Sequence, residues 1–220
     1  MADESIENRR PLKVREVGLV TQLARWLSQK SITPNHISLL SIVFALLAAV
    51  GLIVTLYSTG ASRFFAYMCT ALFIQGRLLC NLFDGLVAIE GGKSTASGEL
   101  FNDIPDRISD PLIIIAAGYS IVSIGFGDVL GWLGALLAVL TAYIRTLAVS
   151  IGAPANFTGP MAKQHRMALL TVACIATAIE QTWFNHDYIM IIALIILNIG
   201  AAITIIRRTI LAYQFLEKHQ

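Results

Sequence analysis

Apolar runs broken by single polar positions recur six times along the chain, and a helix needs about 20 such residues to cross a bilayer's hydrocarbon. Ile37 to Tyr57 fills that length, and Phe64 to Leu82 follows, interrupted at Gln75 and Arg77. A third run starts near Gly98 and continues through Pro111 to Phe126, and Val129 to Val149 is the fourth, with Arg145 near its end. Met167 to Ile179 and Tyr188 to Ile206 complete the set. The pattern predicts an all-α membrane protein with six transmembrane helices. Ahead of them, residues 12–30 mix Leu12, Val17, Val20, Leu23, Trp26 and Leu27 with Lys13, Arg15, Arg25 and Lys30. That mixture predicts an amphipathic helix lying in the interface, with Trp26 at headgroup level. Thr33 and Pro34 suit the cap and first position of the next helix. The chain thus divides into an N-terminal segment, 1–33, and a six-helix domain, 34–220.

Composition strengthens this reading. Of 220 residues 56% are hydrophobic and 14% charged, against about 25% charged in ordinary soluble domains. So few charges do not cover a soluble surface, which argues against a soluble enzyme and against a disordered chain. The net charge of +2, with no long Lys/Arg run, gives no footing for nucleic acid. Cys69, Cys80 and Cys174 lie in apolar stretches without metal or pairing spacing and read as small hydrophobes. Residues 1–10 lack the apolar run of a signal peptide. With the N-terminus inside, thirteen Lys and Arg fall on inner segments and Arg63 alone on the outer loops. The positive-inside rule then places both termini on the cytoplasmic side of a cell (inner) membrane.

The chemistry-bearing residues concentrate in one place. Six of the fourteen Asp and Glu are Asp84, Glu90, Glu99, Asp103, Asp106 and Asp110. Carboxylates at a membrane helix are costly unless solvated, paired or bound to a cation. At about 100° per residue, Glu99, Asp103, Asp106 and Asp110 share an arc of roughly 60°, with Asn102 at its edge. Asn81, Asp84 and Ala88 share a face of the preceding helix, and the short link Gly91-Gly92-Lys93-Ser94 makes the two faces confront each other. Hard oxygen donors without His or Cys suit Mg²⁺, Mn²⁺ or Ca²⁺ rather than Zn²⁺. The competing reading is a solvated acidic cap neutralised by Arg77, Arg107 and Arg145. Gly85, Ala88 and Gly98 let a ligand or a neighbouring backbone come close.

The stretch Asn81-Leu-Phe-Asp84-Gly85-Leu-Val-Ala88-Ile89, eight residues, Gly98-Glu-Leu-Phe-Asn102-Asp-Ile-Pro-Asp106 resembles the signature of the CDP-alcohol phosphatidyltransferases, D-x2-D-G-x2-A-R-x8-G-x3-D-x3-D. Spacing agrees throughout, and Asp84, Gly85, Ala88, Gly98 and Asp106 agree in identity. Asn81, Ile89 and Asn102 stand where the family has Asp, Arg and Asp, so the chain resembles a divergent branch. The resemblance implies a six-helix membrane enzyme that moves a phosphatidyl group from CDP-diacylglycerol to an alcohol acceptor and releases CMP, using Mg²⁺ or Mn²⁺. It implies Asp84 and Asp106 as metal ligands, Asn81 and Asn102 as neutral ones, Asp106 as base, and Gly85, Ala88 and Gly98 beside the cytidine and diphosphate. It also implies a homodimer, and the small-residue faces Gly131-x2-Gly134 and Gly200-Ala201-Ala202 would permit packing within or between chains.

Asp110 repeats the x3 spacing one turn past Asp106 and is the substitute base. The alternative is that it pairs with Arg107 or Arg145. Lys163 and Arg166, at the start of the fifth helix, suit a phosphate on the acceptor; inner-loop anchoring accounts for the same residues. Two other functions fit the same features: a catalytically silent relative that binds CDP-lipid, and a cation transporter, against which the carboxylate cluster lies at one membrane face and the outer halves of the helices offer it no acidic partner.

Overall fold

The computed structural model describes residues 22, 26, 33–90, 98–184 and 186–218, except the side chains at 89, 90 and 99. Among the described residues there are six long helices and no strand: α1 (Pro34–Tyr57), α2 (Gly60–Glu90), α3 (Gly98–Tyr119), α4 (Gly127–Ser150), α5 (Lys163–Trp183) and α6 (Tyr188–Lys218). The interfacial helix expected over residues 12–30 lies outside the described residues, apart from helical positions at 22 and 26. The link at 91–94 lies outside them too.

Thr33 caps α1 as its sequence predicts: its backbone is extended and its hydroxyl accepts the His36 N–H at 3.3 Å, with Pro34 opening the helix. Four helices are long and apolar enough to cross a membrane: α1, α2 over Gly60–Ala88, α4 and α6. The chain is a membrane protein on that ground, but the expectation of six such helices is corrected to four. α3 carries Asp103, Asp106, Arg107 and Asp110 together with Pro105 and Pro111, and α5 opens on Lys163 and Arg166. These two helices hold the polar chemistry that disqualifies them by composition.

The helices close into a ring. α1 packs on α2, α2 on α5, α5 on α6, α6 on α4, α4 on α3 and α3 back on α1, while α3 also reaches α6 across the middle. Lipid tails are as apolar as Leu, so such helices associate through close packing rather than through a hydrophobic drive. α1 shows how: Ser38, Ser41, Ala45, Ala48, Ala49, Leu52 and Thr55 form a buried stripe of mainly small residues, while Leu39, Leu40, Val43, Leu46, Leu47 and Val50 face outward. α3 and α4 meet backbone to backbone. A Cβ on Gly118 would stand 2.6 Å from the Gly127 carbonyl oxygen and 2.7 Å from the Gly131 Cα, so no side chain fits there. Gly134 abuts Ile114 and Leu197, and Gly200 abuts Met161. The small faces at 131–134 and 200–202 are thus used within the chain.

α3 stops at Tyr119, short of the expected Phe126. The buried carboxylate of Asp187 takes over the backbone there, accepting from Val122 N at 2.7 Å, from Ser123 N at 3.3 Å and from the Ser123 hydroxyl. This turn holds the ring at the end opposite Asp84 and Asp106.

Candidate active site

Four helices bring polar or charged groups to one end of the ring. The second turn of α1 supplies Ser38, the second half of α2 supplies Arg77 and Asp84, the middle of α3 supplies Asp106 and Asp110, and the first turn of α5 supplies Lys163 and Arg166. A small apolar cluster of Ile37, Cys80, Leu82, Leu86 and Val87, backed by Phe44 and Phe83, fixes α1 against α2 beside them. Asp84, Asp106, Asp110, Arg77 and Arg166 are all buried.

Arg77 is the hub. Its Nη2 lies 3.0 Å from Asp106 Oδ1 and 2.5 Å from Asp110 Oδ1, and no part of its side chain is exposed. Asp106 also pairs with the Lys163 ammonium through its other oxygen. Asp110 is held from its far side by Arg166 Nη2 at 2.8 Å. Arg166 is itself fixed by donating to the Met161 carbonyl at 2.9 Å and the Thr141 hydroxyl at 3.2 Å. A buried ion left unpaired is strongly unfavourable, and this lattice leaves none of the three arginine and lysine charges alone.

Asp84 differs from its neighbours. One oxygen accepts the Ser38 hydroxyl at 2.7 Å and the other accepts the Gly85 N–H at 2.6 Å. Among the described residues no Lys or Arg pairs with it. A buried carboxylate with neutral donors alone is what an added cation would complete. Three carboxylates (Asp84, Asp106, Asp110) here meet three cations (Arg77, Lys163, Arg166), yet the cations sit on two of the carboxylates.

The sequence-predicted residues divide accordingly. Asp84 and Asp106 lie at the same end of the ring, and Asp106 pairs with Arg77 while Asp84 does not. Asp110 does not pair with Arg107 or Arg145; it is clamped between Arg77 and Arg166 in the interior, which sets it among the structural ions and away from the role of free base. Arg107 and Arg145 both go to half-buried Asp103, at 2.6 and 2.9 Å, and Arg145 also lies 5.3 Å above the Phe157 ring. Asn102 is exposed, outside the buried cluster. Arg166 is turned inward to Asp110 and not toward an incoming phosphate. Gly85, Ala88 and Gly98 are half-buried at the same end. Sequence reasoning missed Ser38 and Thr141. The signal for Ser38 was the small-residue stripe of α1, which places Ser38 on the buried face one turn after Pro34.

The donors fit one hard cation. Among the described residues Asp84 has no ion-pair partner, and the buried amide nitrogen of Asn81, one turn before it, has no hydrogen-bond partner. The oxygen and nitrogen of an amide are assigned from their surroundings, so the Asn81 carbonyl is available as a neutral ligand in the flipped orientation. A pair of ions does not fit as well: two of the four signature positions are uncharged, both Asp106 oxygens are engaged, and among the described residues no three His, Cys, Asp or Glu side chains converge.

No family profile matches the chain, and no curated protein does. Solved structures do share its fold. Phosphatidylinositol phosphate synthase of Mycobacterium tuberculosis with CDP-DAG bound superposes with a TM-score of 0.69 over 89% of this chain and 94% of that one, at 19% identity. The same synthase with manganese and citrate gives 0.69 over 88% of each chain at 20% identity. Its apo form gives 0.70 over 87% and 95% at 16% identity. The likeness is one of fold, and it agrees with the resemblance read from residues 81–106.

Proposed function

We propose that the protein transfers a phosphatidyl group from CDP-diacylglycerol to an alcohol acceptor and releases CMP, in the biosynthesis of a phospholipid. The observation that carries this reading is Asp84, a buried carboxylate with no ion-pair partner among the described residues, standing at its signature position in a fold shared with a synthase solved with CDP-DAG bound. The basic residues around the same end favour a cytoplasmic site in a multi-pass inner-membrane protein, with α3 and α5 crossing the bilayer as members of the ring and their buried ion pairs facing its interior. Pairing of two such chains follows from the resemblance alone.

In the reaction the acceptor oxygen forms a new bond to the phosphorus carrying the diacylglycerol, the bridging P–O bond to CMP breaks, and its electron pair leaves with CMP. The hydroxyl proton passes to a carboxylate, for which Asp106 is the candidate. Asp84 and Asn81 would hold Mg²⁺ or Mn²⁺, which when bound neutralises charge on the diphosphate. Ser38 and the Gly85 N–H keep the Asp84 carboxylate in one orientation. Gly85, Ala88 and Gly98 leave room for the nucleotide along α2 and α3. Arg77 holds Asp106 and Asp110 at fixed separation, and Arg166 locks Asp110, so α3 is positioned against α2 and α5. Lys163, the cation with an exposed face, is the group that an acceptor phosphate would meet.

Asn81, Ile89 and Asn102 favour a second reading, a silent relative that binds CDP-lipid without turning it over. The two readings separate with purified protein, CDP-diacylglycerol, Mn²⁺ or Mg²⁺ and a panel of alcohols that includes sugar phosphates, glycerol phosphate and serine. CMP release with one of them is the expected result. Binding of CDP-diacylglycerol with no CMP from any acceptor would establish the silent relative.

A further inference from the structure

We propose that the Lys163 ammonium is a built-in counter-cation that competes with the divalent ion for Asp106. The proposal rests on the reading that an ion binds beside Asp84. Lys163 reaches Asp106 from 57 residues away, across the gap between α5 and α3, and takes the oxygen that Arg77 leaves. Its charge also acts on Asp84. With Asn at two signature positions, an incoming ion has two carboxylates to use, and Lys163 occupies one of them.

The three cations of the lattice are unequal in a way that singles this one out. The Arg77 and Arg166 side chains are 0% and 4% exposed and each spans fixed partners, whereas the Lys163 side chain is 26% exposed and stands in the first turn of its helix. An ammonium on a flexible stem can leave a carboxylate and find water; a buried guanidinium cannot. While it stays, it offsets the Asp106 charge and repels a second cation. When it leaves, Asp106 gains a free oxygen for the ion or for the acceptor's proton. Lys163 is therefore a gate on the charge of the site. With it in place, the site binds its ion weakly until an anionic substrate draws the ammonium away.

The test contains no substrate. Free Mn²⁺ is followed by electron paramagnetic resonance during titration of the full-length protein in nanodiscs, for the parent, Lys163→Gln, Lys163→Met, Lys163→Arg and Lys163→Gln combined with Asp84→Asn. The expected result is binding at least about tenfold tighter for the Gln or Met variant than for the parent. Lys163→Arg, which keeps the charge, should resemble the parent, and adding Asp84→Asn should remove the gain. Gln and Met variants that bind no tighter than the parent would overturn the proposal. So would an Arg variant that gains as much as they do, or a gain that persists with Asp84→Asn. Met keeps the apolar stem, so it provides a folded variant should Gln disturb the first turn of α5. A parent that binds Mn²⁺ as proposed but releases no CMP would count against phosphatidyl transfer and leave the Lys163 result intact.

Discussion

Asp84 and Asp110 are both buried aspartates at one end of the same ring, and their neighbours give them opposite sensitivities. Asp84 is held by neutral donors, so Asp84→Asn removes a charge that has no ion-pair partner among the described residues. Its melting temperature in detergent should equal or exceed the parent's, while CMP release falls by at least about a hundredfold, the scale set by loss of an essential charged group. Asp110 holds two buried guanidinium groups. Asp110→Asn leaves Arg166 without a carboxylate and Arg77 with Asp106 alone, and should cost about 3–5 kcal/mol, read as a sharp drop in the melting temperature. A melt unchanged in Asp110→Asn, or a melt lowered equally by both substitutions, would show that the ion lattice is not organised as described. Ser38→Ala sits between these cases: it loses one hydrogen bond to a charged acceptor, of about 1.5–3 kcal/mol. Its effect should appear in turnover more than in the melt, because Asp84 stays folded but loses its fixed orientation.

Among the elements, α3 does most to place the site, and its packing depends on having no side chain at Gly118. Gly118→Ala would push α3 from α4 by forcing a methyl onto the Gly127 carbonyl, at about 1–3 kcal/mol, with turnover lost in parallel as Asp106 moves. Equal melts for parent and variant would place the α3–α4 contact elsewhere. The order of helices was legible from the apolar runs alone, and Thr33-Pro34 marked where α1 begins. The end of α3 was not legible, because the residue that stops it, Asp187, comes from 64 or more positions downstream and acts by taking over backbone N–H groups. The same limit governs the site. Asp84 and Asp106 could be picked out from spacing, since they lie on consecutive helices joined by a short link in the sequence. The partners of Asp106 and Asp110 on α5 are 57 and 56 residues away. Local periodicity contains nothing about which carboxylate each meets, so Lys163 and Arg166 read as partners for an acceptor phosphate or as inner-loop anchors, and Asp110 as a substitute base. Composition likewise made α3 and α5 look like weak membrane segments, when their polar halves are the parts that pair with each other.

At the scale of the whole molecule, the ring is polar and buried at one end, latched by Asp187 at the other, and apolar around its circumference. Exposed Leu, Ile and Val on α1, α4 and α6 are the surface a bilayer would cover. The proposed orientation has a direct check. In a background with Cys69, Cys80 and Cys174 replaced, His165→Cys should react with an impermeant thiol reagent from the cytoplasmic side, and Arg63→Cys only from the other. The reverse labelling would invert the topology. The account's central claim, that this ring of helices uses Asp84 to move a phosphatidyl group, is tested most directly by counting products. Parent and Asp84→Asn are incubated with CDP-diacylglycerol, Mn²⁺ and the acceptor panel, and CMP and new phospholipid are quantified together by mass spectrometry. The account predicts CMP and lipid in equal amounts from the parent and neither from Asp84→Asn; CMP without a matching lipid, or equal turnover by both proteins, would contradict it.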